Sequence, residues 1–335
     1  MRLFSERLFP AFLLSFGLGF GAASAACVGR DLIADLPQAE RQALQAATDT
    51  VPFPSGNRWR AEKAGQVVDL IGTYHLDDPR IAPMLASALP ALDKATALLV
   101  EAGPDEEKAL KERIAREPAL LVITDGPTLP ETLPPETWTR LSQAMADRGI
   151  PGFMAAKFRP WYISMMLSIP TCALTDIGTP NGLDRQLIDA ATARGTPVQA
   201  LEPYDTVFRI FDTLSRQDQE SMITSALAMV DGAEDMSATL AAQYFAGENR
   251  LIWEFMRAET LKLPGYTPEQ VAQEFATMEE TMINARNRAW IPVIDAAAAK
   301  GPVLVAFGAL HLPGEQGVLN LLAQDGWAIT RLDGP

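Results

Sequence analysis

The chain contains two histidines, and each closes the same four-residue pattern: Gly72-Thr73-Tyr74-His75 and Gly308-Ala309-Leu310-His311. Imidazole is the commonest side-chain ligand of transition metals and the usual general base near neutral pH. Each pattern ends an apolar run that reads as a buried strand, over 67–72 and 303–308. Two carboxylates hold the same kind of position: Glu101 directly follows Ala97-Leu98-Leu99-Val100, and Glu202 directly follows Val198-Gln199-Ala200-Leu201. Open α/β sheets bind ligands outside the carboxyl ends of their strands, so four parallel neighbours would bring His75, Glu101, Glu202 and His311 to one edge. Two imidazoles and a carboxylate make the three-donor set of hydrolytic metal sites, whose vacant position holds an activated water. A further carboxylate can then act as base. The plainer readings are a hydrogen-bonded turn histidine and a glutamate that complements a helix N-terminus. Repetition of the pattern at strand ends is what sets these residues apart.

The elements that would position them follow from periodicity and punctuation. The first half reads β-β-α-β: a hairpin of strands over 59–63 and 67–72 around Gly65, a helix over 82–93 and a strand over 97–102. Strand signals then fade, and helices are expected over 105–116, 135–148 and 157–168 between proline-rich joins. A helix over 183–194 leads into a strand over 197–201. Helices rich in Ala, Met and Gln follow from 204 to 299, broken near Gly247 and at Leu263-Pro264-Gly265. The last unit is a strand over 303–307, a helix over 315–324 and a strand over 327–332. The expected fold class is α/β: two β-α units whose strands form a mainly parallel central sheet, a strand-end site, and a large helical insert between the halves. One domain over 26–335 is expected, with a first half near 58–103, a helical region near 104–180 and a second half near 181–335.

Arg2 and Arg7 precede an apolar run over 11–22, and Ala23-Ser24-Ala25 supplies the small residues a signal peptidase accepts. Residues 1–25 are therefore read as a cleaved signal peptide that sends the chain to the periplasm or outside the cell. A lipoprotein signal ending at Cys27 is the lesser alternative, because Ser24 stands where a bulky aliphatic is expected. The run is shorter than the ~20 apolar residues that span a bilayer, and no later segment is long and apolar enough to do so. The formal charge of −14 becomes −15 once Arg2, Glu6 and Arg7 are removed. Such a chain repels phosphate backbones and anionic membrane surfaces, which argues against a nucleic-acid partner. Cys27 and Cys172 would meet an oxidising compartment, where a disulfide and two free buried thiols are both open. There is no serine in a G-x-S-x-G elbow and no glycine-rich phosphate loop after a strand.

Beyond the histidines, an ordered series of motifs stands out: Leu70-Ile71-Gly72-Thr73-Tyr74-His75, Leu99-Val100-Glu101, Gly182-Leu183-Asp184, Ala200-Leu201-Glu202, Arg286-Asn287, and Val305 through Gly314. In these the chain resembles the TraB/PrgY/GumN family, related to the Tiki proteases and more distantly to erythromycin esterases and the ChaN-like haem-binding lipoproteins. The resemblance covers roughly 60–332. It implies a metal-dependent hydrolase that cleaves an amide bond in a peptide or protein substrate. A divalent ion such as Mn, Co or Zn would be held by His75, His311 and Glu101, and Glu101, Glu202, Arg286 and Asn287 would form the catalytic set, with the ligand and base roles of the two glutamates left open.

Glu202 sits in Ala-Leu-Glu-Pro where family members commonly read Gly-Leu-Glu-Thr. Arg286 and Asn287 match the family's Arg-Asn pair on the helix before the final strands, where they would polarise a carbonyl or hold a carboxylate; a plain ion pair is the alternative for Arg286. Asp184 matches an acidic position but is equally a helix-start carboxylate. Asp77 and Asp78 are read as a cap for the helix that follows, orientation of His75 being the alternative. Lys157-Phe158-Arg159-Pro160-Trp161 with Ile163, Met165, Met166 and Leu167 could line a groove, although apolar residues at helical spacing read first as core. Two other functions remain open: a non-catalytic periplasmic protein that binds haem, metal or peptide in the same cleft, and a purely structural one.

Overall fold

Buried strands read as continuous apolar runs because both of their faces are covered, and the computed structural model of this chain is organised around three of them, with a fourth, partly exposed parallel strand at one edge. It describes residues 27–174, 181–263 and 265–332, so the expected leader over 1–25 lies outside the described residues. The sheet has six strands in the order β4-β3-β5-β2-β1-β6. β1 (Arg58–Lys63) and β2 (Gln66–Thr73) form the expected hairpin. Ala64 and Gly65 both have positive φ, as a two-residue turn matched to strand twist requires. β2 runs parallel to β5 (Val303–Gly308), β5 to β3 (Ala97–Val100), and β3 to β4 (Val198–Ala200). β6 (Ala328–Arg331) does not lie beside β5, its neighbour in sequence, but pairs antiparallel with β1 at the far edge.

Alternation along the strands feeds two separate cores. Val68, Leu70, Ala97, Leu99, Val303, Val305 and Phe307 face one layer, where Trp290 and Ile294 of the helix Ala285–Ala298 and Leu319 and Leu322 of the helix Val318–Gln324 cover them. Ile71, Leu98, Val100, Leu304 and Ala306 face the other, packed against the helices Ile81–Leu92 and Leu183–Arg194. The region between the halves is helical as expected, with Pro104–Arg116, Pro135–Ala146 and Pro160–Ser168. The last of these starts at Pro160 rather than at 157 because Arg159, preceding a proline, is extended. Ile163 and Leu167 are buried with Leu141, Met145 and Ile223, and Trp161 stacks on Phe211 at 4.9 Å, so these residues are core, whereas Met165 is exposed. A helix over Gln38–Thr48, for which the sequence reading gives no expectation, packs Leu44 near Leu251 and Phe255.

Cys27 and Cys172 are joined in a disulfide, which closes one of the two alternatives left by the sequence. Their sequence separation of 145 makes this a long loop, and cross-linking a long loop removes much freedom from the unfolded chain. Replacing Cys172 with Ser is expected to cost about 2–5 kcal/mol, measured as a lower urea midpoint; an unchanged midpoint would show that the bridge adds nothing to stability.

Candidate active site at the strand ends

The register sets the carboxyl ends of the four parallel strands level: Gly72 pairs with Phe307 and Thr73 with Gly308, Val100 faces Ala306, and Val100 also faces Ala200. Because β5 is inserted between β2 and β3, the two histidines leave neighbouring strands and Glu101 leaves the strand on the other side of β5. The glycines of the two patterns explain their repetition. A Cβ on Gly72 would come within 2.9 Å of Ala309 Cα, so the first glycine admits the turn of the second pattern. A Cβ on Gly308 would lie 3.3 Å from Glu101 Oε1, 3.4 Å from His75 Nε2 and 3.8 Å from His311 Cδ2. The second glycine thus admits the imidazole of the first, and three candidate groups converge on one small space beside it.

Each ring is anchored through Nδ1. His311 Nδ1 is 2.6 Å from Asn287 Oδ1, and Asn287 Nδ2 donates to the carbonyls of His311 and Gln316. With its amide nitrogen so used, Asn287 Oδ1 is the acceptor, which places the proton on Nδ1 and a lone pair on Nε2. His75 Nδ1 lies 3.2 Å from Asp184 Oδ1. Neither Asp77 nor Asp78 takes that part: Asp77 accepts from Asn181, and Asp78 accepts from the backbone and guanidinium of Arg80, forming a turn just ahead of the helix Ile81–Leu92.

Arg286 stands in the middle. Its guanidinium donates to both oxygens of Glu202 at 2.8 Å, to Glu101 Oε2 at 2.5 Å and, through Nη1, to His311 Nε2 at 3.2 Å. Trp290 donates to Glu202 Oε2 at 3.1 Å and packs against His311 with the ring planes tilted by 38° and centroids 4.4 Å apart. Gly308 N–H donates to Glu101 Oε1 at 2.7 Å. Arg286 follows a π-helical turn, Glu280–Asn284, and also bonds the Met282 carbonyl within it; such turns recur at functional sites because they re-aim side chains. The residues expected to form the metal and catalytic set, His75, Glu101, Glu202, Arg286, Asn287 and His311, are brought together here. Trp290 was missed, and nothing in its local sequence distinguishes it from a core residue; Gly308 was singled out as part of the repeated pattern, but not its amide as a donor to Glu101.

The electrostatics are tightly coupled. Burial raises the Glu101 carboxyl, but His311, Arg286, His75 and the Gly308 N–H outweigh it and bring it down to about 2. Burial lowers His311, and Arg286 and His75 add to that against the pull of Glu101, leaving it at about 3. His311 is therefore neutral near pH 7, and the cations that keep Glu101 ionised there are Arg286 and His75. For His75 burial again opposes the charge, but the side chain keeps 62% of its surface open. The bond and charge of Asp184 and the charge of Glu101 prevail over burial and Arg286, raising it to about 9.

The donor types suit a divalent cation: both rings hold Nδ1 against an acceptor, as metal-ligating histidines do, leaving Nε2 and Glu101 to coordinate. In the arrangement described, the Arg286 guanidinium takes the side of Glu101 and His311 that such an ion would face. Among the described residues no group of three or more His, Cys, Asp or Glu is drawn close enough together to hold one.

The TraB/PrgY/gumN family profile matches residues 57–331. The chain belongs to the TraB/PrgY/gumN family. It is 26% identical over 255 residues to "Uncharacterized protein YbaP" of Escherichia coli (strain K12), a match spanning 76% of this chain and 86% of that one. The protein of the same name from Shigella flexneri matches to the same extent. For this family member the resemblance drawn from its motifs, over 60–332, and the profile coincide closely.

The pKa directions set the pH dependence of stability. Glu101 and His311 titrate lower in the folded chain than their ordinary values of 4.5 and 6.5, so their contributions are present above those values and are lost as pH falls toward about 2 and about 3. His75 titrates higher, so its contribution is present below 6.5 and is lost as pH rises through about 9. Urea midpoints measured in chelator should fall on both sides, and His75→Gln should flatten the alkaline limb. Equal slopes in wild type and His75→Gln above pH 6.5 would contradict this assignment.

Proposed function

We propose that this TraB/PrgY/gumN family member is an exported hydrolase that cleaves an amide bond in a peptide or protein at the strand-end cluster. The observation that carries the reading is the convergence beside Gly308 of His75 Nε2, Glu101 Oε1 and the His311 ring, with both Nδ1 atoms anchored by acceptors. A divalent metal, with His75, His311 and Glu101 as its ligands, would have to take the place of the Arg286 N–H groups on His311 Nε2 and Glu101, and would supply a water acidified to near neutrality and a Lewis acid for the carbonyl. Glu202, both of whose oxygens accept from Arg286, holds the guanidinium in place. Arg286 then offers N–H donors to the oxyanion that develops on the scissile carbonyl. Asn287 keeps the His311 ring turned so that Nε2 faces the centre. Glu101 lies with His75 Nε2 beside Gly308, and its remaining capacity serves as ligand or as acceptor of the attacking water's proton. Export is supported by the Cys27–Cys172 disulfide, since such bridges persist in oxidising compartments. Among the described residues no helix is long and apolar enough to cross a membrane.

The test is elemental analysis of the purified protein after reconstitution with Mn, Co and Zn, followed by a peptide-library cleavage screen. About one metal per chain is expected in wild type and none in His75→Ala or His311→Ala. Arg286→Met should keep the metal and lose about 10²–10³-fold in kcat, as when an oxyanion donor is removed. Wild-type protein that takes up none of the three metals would overturn the reading. The open ring of His75 favours a second one, capture of haem or another ligand without turnover; a Soret shift on haem titration that is abolished in His75→Ala would mark it.

A further inference from the structure

The helix Leu183–Arg194 belongs to the layer opposite Arg286, yet its start reaches the same edge of the sheet. Gly182, its N-cap, lies directly against the end of β2: a Cβ there would overlap the carbonyl oxygen of His75 and come within 2.5 Å of the Tyr74 carbonyl oxygen. Leu183 N–H donates to that Tyr74 carbonyl at 2.9 Å, and the Leu183 side chain is fully buried beneath. One residue on, Asp184 places Oδ1 3.2 Å from His75 Nδ1. That oxygen is buried and has no hydrogen-bond partner of its own, so the His75 ring, in ion-pair contact at 3.2 Å, is the polar group it is poised to take. Three consecutive residues therefore touch the backbone before His75, the carbonyl of His75 and its ring.

We propose that Gly182-Leu183-Asp184 is a clamp that positions His75, with Asp184 as the positioning residue that fixes the ring proton on Nδ1 and turns Nε2 toward Glu101 and Gly308. Within the reading of His75 as a site residue, this assigns Asp184 a role by way of the imidazole and no contact with substrate. A neutral imidazole free in water prefers the opposite tautomer, with the proton on Nε2, so the clamp makes a measurable demand. It is also the counterpart of Asn287 on His311: one imidazole is oriented from each helical layer. A carboxylate behind the ring additionally strengthens Nε2 as a donor.

Because the chain has only two histidines, long-range ¹H–¹⁵N correlation spectra resolve all four ring nitrogens. The spectra are recorded without metal, on the alkaline side of the ring's titration. Wild type should show His75 as the Nδ1–H tautomer, Asp184→Leu should convert it to Nε2–H, and Asp184→Glu should restore Nδ1–H. Unmoved His311 signals report an intact fold, and Asp184→Ala serves if Asp184→Leu does not fold. A wild-type His75 in the Nε2–H form, or a tautomer unchanged on loss of the carboxylate, overturns the clamp. The readout is independent of hydrolysis: Nδ1–H in wild type with conversion in Asp184→Leu upholds the clamp even where elemental analysis finds no metal and so removes the hydrolase reading. In protein that does take up Mn, Co or Zn, Asp184→Leu should weaken that affinity about 10–100-fold.

Discussion

Two carboxylates cannot sit half-hidden at one edge of a sheet unless a cation stands between them, and Arg286 is that cation. Its guanidinium spans Glu101 and Glu202 from strands β3 and β4 and reaches His311 beyond β5. The fork geometry of arginine satisfies both acids at once, which a lysine point charge does not. Much of the surrounding structure serves this arrangement. The π-helical turn directly precedes the helix Ala285–Ala298, Trp290 bonds Glu202, and Phe307 packs against Trp290. The same charge depresses the proton affinity of both Glu101 and His311, so an ionised acid and a neutral imidazole stand side by side near neutrality.

Seen across its layers, the site is held from two sides. Asn287 belongs to one helical layer and Asp184 to the other, and each takes the inner nitrogen of one histidine. The sheet between them fixes the rings' backbones through parallel pairing. The two glycines of the repeated pattern remove the side chains that would collide there. The repetition of Gly-x-x-His is thus a packing requirement as well as a chemical one, because each pattern must pass close to the other.

The strands and their terminal polar residues were legible in the sequence because a strand buried on both faces is a continuous apolar run, and a glutamate or glycine that ends it is conspicuous. Long-range placement was not. Nothing local to residues 303–308 says that this strand slides between β2 and β3, or that β6 crosses to pair with β1, since pairing partners are chosen by the whole fold. The partner of His75 shows the same limit: Asp77 and Asp78 are its neighbours in sequence, but the chain turns away after β2 and Asp184 arrives from another helix. The cysteines could be counted but not paired until the structure put them together. The Met-rich helix near Trp161 was ambiguous because a groove and a core demand the same apolar spacing; only its burial against Leu141 and Ile223 distinguishes them.

The position of β5 bears on how the molecule assembles. It is the fifth of six strands in sequence yet lies third in the sheet, joining the pair β4-β3 to the hairpin β2-β1. Until residues 303–308 are available, these two pieces share no hydrogen-bonded edge, and three of the four strand-end groups have nothing to hold them in register. Contacts of such sequence separation form slowly, because loop closure must precede any gain. The sheet, and with it the polar cluster, is therefore completed by the C-terminal tenth of the chain, so synthesis of the rest precedes any folded site.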